Sequence, residues 1–189
     1  MRRRVESLLN GMPGKAVEVS YLDASDAPHS VSVVRRDMPG KPTKFGELPT
    51  ILARVESRRL PNGVGYVSFN IFLPQMMDQI REAVRSLADA PAIVVDVRNN
   101  PGGLGPMGTA VAALFFDKDT PLGTMQMRRG NLNFVGIAQR GPYLGPVAVL
   151  VDEGSASTSE LLAAGLQESG RAVVVGSTSL GAMLPSVIE

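Results

Sequence analysis

The chain has 189 residues, of which 44% are hydrophobic and 20% are charged, and its formal net charge is +1 at pH 7. These values are typical of a globular protein with one well-buried core, or with a core and a small appendage, and they give no electrostatic reason to expect a nucleic-acid partner. The sequence has no cysteine, which excludes disulfides, thiolate metal sites and a cysteine nucleophile. Its single histidine, His29, leaves one candidate base for a serine, histidine and aspartate triad.

Residues 1–45 are predicted to form one short helix and one β-hairpin. Val5, Leu8 and Leu9 lie on one side of the helix, and "AVEVSYL" and "HSVSVVRR" alternate as two strands joined by "DASDAP". Such a unit needs neighbouring structure to bury its apolar face. The basic start lacks the apolar core of a signal peptide, so the chain is either cytoplasmic or a piece of a longer exported protein.

Residues 46–189 are predicted to form an α/β core. A hairpin turning at "PNG" comes first, followed by a helix through "PQMMDQIREAVRSLADA" in which Met76 and Met77 fill the core. The apolar runs "PAIVVDV", "GPVAVLV" and "RAVVVG" indicate buried strands. Helices are predicted in "GPMGTAVAALFF" and from Ser157 to about Ser169. This alternation favours a parallel sheet with crossover helices.

Two turns of this core have a composition that suits chemistry. The first, "DVRNNPGGLG", follows one buried strand, and the second, "VDEGSASTSE", follows the next. Paired glycines let backbone N–H groups approach a ligand closely. Because ligands bind at the carboxyl ends of parallel strands, we expect both turns to open at the same edge of the sheet.

The serines of "SASTSE" have two interpretations. Ser157 and Glu160 match the capping box S-x-x-E, and a serine before a helix is far more often a cap than a nucleophile. A hydroxyl at this position also lies near free N–H groups that can stabilise an oxyanion, with a second donor available from "NNPGG". The two roles are compatible, because a helix start is where this chemistry needs its serine.

Three motifs in order, "VVDVRNNPGG", "VAVLVDEGSASTSELLAAGLQ" and "RAVVVGSTSLG", resemble the C-terminal processing, or tail-specific, serine proteases. The resemblance covers about residues 50–189. It implies a crotonase-like (ClpP/crotonase-type) α/β core and a peptide hydrolase that works through an acyl-enzyme, without metal or cofactor. It further implies that residues 1–45 are the back half of a PDZ domain and that residues 46–189 are a peptidase core shortened at its end.

The same resemblance implies an exported bacterial protein, periplasmic or extracellular, that acts on a peptide or protein substrate, and it leaves a homo-oligomer open. Position by position, it implies that Ser157 is the nucleophile and that the backbone N–H groups of Gly103 and Thr158 are the oxyanion donors. The family's usual base is a lysine, which a buried site keeps neutral by lowering its pKa. Here that position is Ala182, and the position of the assisting glutamine is Ser186.

Three functions stay open: the motifs favour the first, the missing lysine and glutamine favour the second, and the paired N–H donors of crotonase-like cores allow the third. The first is a serine peptidase with another base or low activity, and the second is a catalytically impaired module that binds peptides or serves as a scaffold. The third is a crotonase-like enzyme that acts on an acyl thioester.

Three other polar residues are expected to have structural or solvated positions rather than catalytic ones. Arg98 is expected to fix the glycine turn through Asp96 or Asn100. His29 is expected to be a solvated turn residue, and Glu168 an exposed carboxylate at a helix end.

Overall fold

The computed structural model describes residue 9 and residues 11–46, 50–128 and 130–183. The chain divides into two compact units, Met1–Pro39 and Gly40–Glu189. The helix predicted near the start lies outside the described residues except for Leu9, which is helical. No helix in the described part of the chain is both long enough and apolar enough to cross a membrane.

The first unit contains the predicted hairpin. Strands β1 (Ala16–Leu22) and β2 (Pro28–Val34) pair antiparallel, with Val17 opposite Val33. His29 is exposed to solvent, as expected, but it lies in β2 and not in the turn, because it pairs with Tyr21 across the hairpin. Its ring stacks on Tyr21 and its Nε2 lies 2.8 Å from the Asp23 carboxylate. The hairpin is confirmed, and its assignment to a PDZ domain stays a prediction.

The second unit contains nine strands and three α-helices among its described residues. The strands are β3 (Lys41–Thr43), β4 (Ile51–Ala53), β5 (Val55–Arg59), β6 (Gly65–Phe69), β7 (Ile93–Asp96), β8 (Thr120–Gln126), β9 (Asn131–Gly136), β10 (Val147–Val151) and β11 (Val173–Gly176). The helices are α1 (Met77–Arg85), α2 (Gly105–Ala112) and α3 (Thr158–Glu168), and short 3-10 turns lie at Pro74–Met76 and Ala113–Phe115.

The main sheet has the strand order β11-β10-β7-β6-β5. The first four of these strands are parallel, and β5 pairs antiparallel with β6. Val67, Val95 and Val149 point from the central strands into the core and are at most 1% exposed. They belong to one apolar cluster with the buried sides of the helices. The predicted α/β architecture with a parallel sheet is therefore confirmed.

The hairpin β5–β6 turns at the predicted "PNG", where Gly63 has a φ of +83°. The methionines Met76 and Met77 are buried, as predicted. The antiparallel hairpin β8–β9 was not predicted. It contains a bulge between Pro121 and Gly123, which breaks the alternation that would have revealed it. In the fold, β8 contacts α3 and β9 contacts α2.

Candidate active site

The two predicted turns meet at the carboxyl ends of β7 and β10. We call residues 96–105 the glycine turn and residues 151–160 the serine turn. Gly102 has a φ of +98°, and a Cβ atom added to it would lie 2.8 Å from the Ser157 Cβ and 2.9 Å from the Thr158 nitrogen. Both the backbone conformation and the space therefore require glycine. The glycine turn packs directly against the start of α3, so the structure brings together the residues that the sequence paired.

Hydrogen bonds hold the backbone on both sides of Gly103, but none of them uses the Gly103 N–H among the described residues. The neighbouring groups pair with Phe72, because Phe72 N–H donates to the Gly102 oxygen at 2.8 Å and Leu104 N–H donates to the Phe72 oxygen at 2.9 Å. The Thr158 hydroxyl donates to the Gly103 oxygen at 2.8 Å. Among the described residues, neither the Gly103 N–H nor the Thr158 N–H donates to a protein acceptor. Both donors are therefore available to a ligand.

Ser157 is the N-cap of α3 and has an unusual backbone conformation. Its φ is 53° and its ψ is −113°. Non-glycine residues in such regions typically cost about 1–3 kcal/mol, and they are common at active sites. The predicted capping box is present, with the Glu160 carboxylate accepting from the Ser157 N–H at 2.7 Å. The position of Ser157 as the N-cap is confirmed, and its chemical role stays a prediction.

The serines on either side of Ser157, Ser155 and Ser159, anchor the serine turn to the glycine turn, and the sequence did not predict this role. Ser155 donates its hydroxyl hydrogen to the Val97 oxygen at 2.8 Å, and Ser159 donates to the Asn100 oxygen at 2.8 Å. Both serines are fully buried. Their spacing of two residues on either side of Ser157 is the only signal that could have indicated them.

Asn100 and Asp152 organise the backbone of the same two turns. The fully buried Asn100 side chain donates to the Phe69 oxygen at 2.8 Å and accepts from the Gly102 N–H at 2.9 Å. Asp152 accepts from the Asn99 N–H at 2.7 Å and so connects the turns from the other side. These hydrogen bonds hold the glycine turn in place without a ligand.

Arg98 forms the expected structural ion pair, and its partner is Asp96. The Arg98 guanidinium lies 2.6 Å from the Asp96 carboxylate, which also accepts from the Tyr66 hydroxyl at 2.7 Å. Burial of Asp96 favours a higher pKa, but the hydrogen bonds from Arg98 and Tyr66 outweigh it and hold the pKa below its ordinary value. These residues line a polar cleft that shares no lining residue with the cavity at Ser157.

A mainly apolar cavity of about 210 Å³ lies beside Ser157. Strands β8 and β9 supply part of its wall through Met125, Leu132 and Phe134. The other lining residues are Gly103, Leu104, Gly105, Pro106, Ser157, Thr158, Leu161 and Met183. Among the residues that the structure describes, the lining contains no ionisable side chain. This cavity can hold an apolar group next to the hydroxyl and the two free N–H groups.

Ala182, the position of the expected lysine, lies beside Ser157. One oxygen of Glu160 accepts from the backbone N–H groups of both residues, at 2.7 Å from Ser157 and 3.0 Å from Ala182. Ser186 lies outside the described residues. Glu168, at the end of α3, is exposed as expected. In the described part of the chain, no group of three or more His, Asp and Glu side chains is arranged to hold a metal ion.

These features define an α/β domain in which a glycine turn and a serine turn meet at the carboxyl edge of a parallel sheet. Residues 63–187 match peptidase family S41, and the chain belongs to that family. It is 33% identical over 147 residues to carboxyl-terminal-processing peptidase 3, chloroplastic, of Arabidopsis thaliana, covering 74% of this chain and 28% of that protein. It is 35% identical over 144 residues to the carboxy-terminal processing protease CtpB of Bacillus subtilis (strain 168), covering 73% and 29%.

The fold is also similar to a solved structure, the photosystem II D1 C-terminal processing protease. The TM-score is 0.65 at 24% identity, covering 91% of this chain and 46% of the other. The chain spans less than a third of the length of the two relatives named above. The resemblance to C-terminal processing proteases is therefore confirmed at the level of the family.

Proposed function

We propose that this chain contains the serine site of a C-terminal processing peptidase, with Ser157 as the nucleophile. The observation that carries the proposal is the packing of Gly102 against Ser157 and Thr158. It places a strained serine next to the free N–H groups of Gly103 and Thr158, which are suited to stabilising an oxyanion.

In this reaction the Ser157 oxygen adds to the carbonyl carbon of a peptide bond, and the oxyanion accepts hydrogen bonds from the Gly103 and Thr158 N–H groups. The carbon–nitrogen bond then breaks, and the amine leaves with the proton that came from the serine. Water hydrolyses the resulting ester, which releases a carboxylate and restores the hydroxyl. The apolar cavity beside Ser157 accommodates an apolar side chain of the substrate.

The weak point of this site is the base. Position 182 is alanine, and no ionisable residue lines the described cavity. Glu160 does not replace the lysine, because both its oxygens accept hydrogen bonds. Burial favours a higher pKa for Glu160, but its hydrogen bonds with Ser179, Ser157, Gly181 and Ala182 outweigh this effect and lower the pKa. We therefore expect slow chemistry from this chain.

Labelling with a fluorophosphonate probe tests the proposal. Intact-mass measurement should show one adduct, formed slowly, and the adduct should be absent from Ser157→Ala. The matched control is Ser177→Ala, which removes an exposed hydroxyl that donates to Glu153 and should leave labelling intact. No adduct on any variant, or an adduct that survives Ser157→Ala, would show that Ser157 is not the nucleophile.

A second candidate function is peptide binding without catalysis, and Ala182 is the observation that favours it. The apolar cavity and the N–H groups of Gly103 and Thr158 can bind a peptide whether or not a base is present. Incubation with a library of extended peptides separates the two candidates. Turnover that disappears in Ser157→Ala would rule out the binding-only function, and binding without turnover would support it.

The wider assignments are proposals that the family supports. They are a crotonase-like core for residues 46–189, a PDZ-like segment for residues 1–45 and a protein or peptide substrate. An exported bacterial location is proposed on the same basis.

A further inference from the structure

Glu160 makes more hydrogen bonds than a capping box requires. The residue is 7% exposed, and its carboxylate accepts four of them. One oxygen accepts from the Ser157 N–H at 2.7 Å and the Ala182 N–H at 3.0 Å, and the other accepts from the Ser179 hydroxyl and the Gly181 N–H, both at 2.7 Å. Only the bond to Ser157 belongs to the capping box.

The other three donors come from a segment that follows β11, residues 179–182, which we call the base turn. Gly181 has a φ of +72°, a left-handed conformation in which successive N–H groups converge on one anion. One further hydrogen bond joins this turn to the serine turn, from the Leu180 N–H to the Ser155 oxygen at 3.0 Å. The carboxylate of Glu160 is therefore the main polar connection between the base turn and the start of α3.

No cation shares this carboxylate among the ion pairs of the described residues. Within the part of the chain that the structure describes, hydrogen bonds balance its charge, and such bonds are about twice as strong for an ionised acceptor as for a neutral one. A change that removes the charge or one acceptor oxygen should therefore loosen the base turn more than it loosens the core.

We propose that Glu160 is the positioning residue that holds position 182 next to Ser157. It acts through the backbone: the same oxygen accepts from the N–H groups of both positions, so the backbone of residue 182 lies close to that of Ser157. The inference rests on the proposed function for the role of Ser157, but the placement of the base turn does not depend on catalysis.

Hydrogen exchange of the full chain tests the placement directly. In Glu160→Gln one oxygen becomes an NH₂ donor that faces other donors, so the Gly181 and Ala182 amides should exchange at least about tenfold faster. The matched control is Glu168→Gln on the same helix, where the carboxylate is exposed, and it should leave both amides unchanged. The Val149 amide, in the centre of the sheet, reports whether each variant is folded. Unchanged exchange of Gly181 and Ala182 in a folded Glu160→Gln variant would overturn the proposal.

A milder variant keeps the test decisive if Glu160→Gln does not fold. Ser179→Ala removes one donor and leaves the carboxylate in place, so exchange should accelerate in the base turn by a smaller factor while α3 remains protected. Equal protection of the base turn in Ser179→Ala and in the parent chain would count against the proposal.

A coupling measurement separates positioning from general stability. With Ala182→Lys as the background, Glu160→Gln should slow fluorophosphonate labelling of Ser157 at least about ten times more than it does in the parent chain. Equal losses in the two backgrounds would mean that Glu160 does not position residue 182. A failure of the proposed function has a different signature, because no variant would then be labelled at Ser157 while the exchange results would stand.

Discussion

The serine turn and the base turn lie side by side, but they are held in different ways. The serine turn is anchored to the glycine turn by buried side chains, because the Ser155 hydroxyl donates to the Val97 oxygen and the Ser159 hydroxyl donates to the Asn100 oxygen. The base turn depends mainly on one carboxylate of α3, that of Glu160. The serine turn, with the proposed oxyanion donor Thr158, is thus fixed by buried groups, whereas the base turn is attached mainly through Glu160. A chain can therefore lose its base and keep the rest of the site.

The largest expected effect is a faster labelling of Ser157 after a substitution in the base turn. Ala182→Lys adds an amine at a position whose backbone N–H shares one Glu160 oxygen with the Ser157 N–H, and a neutral amine there can accept the serine proton. The labelling rate of Ser157 should rise by about 10²- to 10⁴-fold, the usual contribution of a general base. The control is Met183→Lys, one residue further on, where the parent side chain lines the cavity, and this variant should not produce the gain. Equal gains in both variants would show that position 182 is not specifically placed.

The next effect is on the glycine turn. Gly102→Ala forces a Cβ into contact with Ser157 and Thr158 at a positive φ, and it should destabilise the fold by about 2–5 kcal/mol and abolish labelling. Gly130→Ala is the matched control, since Gly130 also has a positive φ of 86°, but apart from its chain neighbours no atom of the described residues lies within 4 Å of an added Cβ. That variant should cost about 1 kcal/mol and leave labelling unchanged. Chemical denaturation measures the loss in the free energy of unfolding for both variants. Equal losses would contradict the close packing of Gly102 against Ser157 and Thr158.

A smaller effect is expected from the anchors of the serine turn. Ser155→Ala removes a buried hydroxyl that donates to the Val97 oxygen and accepts from the Asp152 N–H. The free energy of unfolding should fall by about 1–3 kcal/mol, because buried groups lose their partners. Ser177→Ala, at an exposed site, should change it by less than about 0.5 kcal/mol. A neutral Ser155→Ala would show that the serine turn does not depend on this anchor.

The smallest effect is the pH dependence of the base turn. The pKa of Glu160 is lowered in the folded protein from an ordinary value of 4.5, so its contribution to stability is present above that value and is lost as the pH falls through the lowered pKa. The stability difference between the parent chain and Glu160→Gln should be constant near neutral pH and shrink below about pH 4.5. A difference that stays constant down to pH 3 would mean that the charge of Glu160 does not stabilise the fold.

Much of the fold could be predicted because its strongest signals are local. The apolar runs of β7 and β10 and the "PNG" turn before β6 are encoded in short stretches of sequence. The hairpin β8–β9 could not be predicted in this way, because its bulge and its glycines interrupt the alternation. It forms because it packs against α2 and α3, and these contacts join residues distant along the chain.

The sequence by itself determined the parallel α/β core, the two turns at its carboxyl edge, the cap at Ser157 and the absence of a lysine at position 182. Only the tertiary structure decided that Gly102 packs on Ser157, that Ser155 anchors the turn and that Glu160 connects the two halves of the site. The physical reason is that local patterns specify secondary structure. A buried hydrogen bond instead depends on which distant backbone groups the packed core leaves without partners.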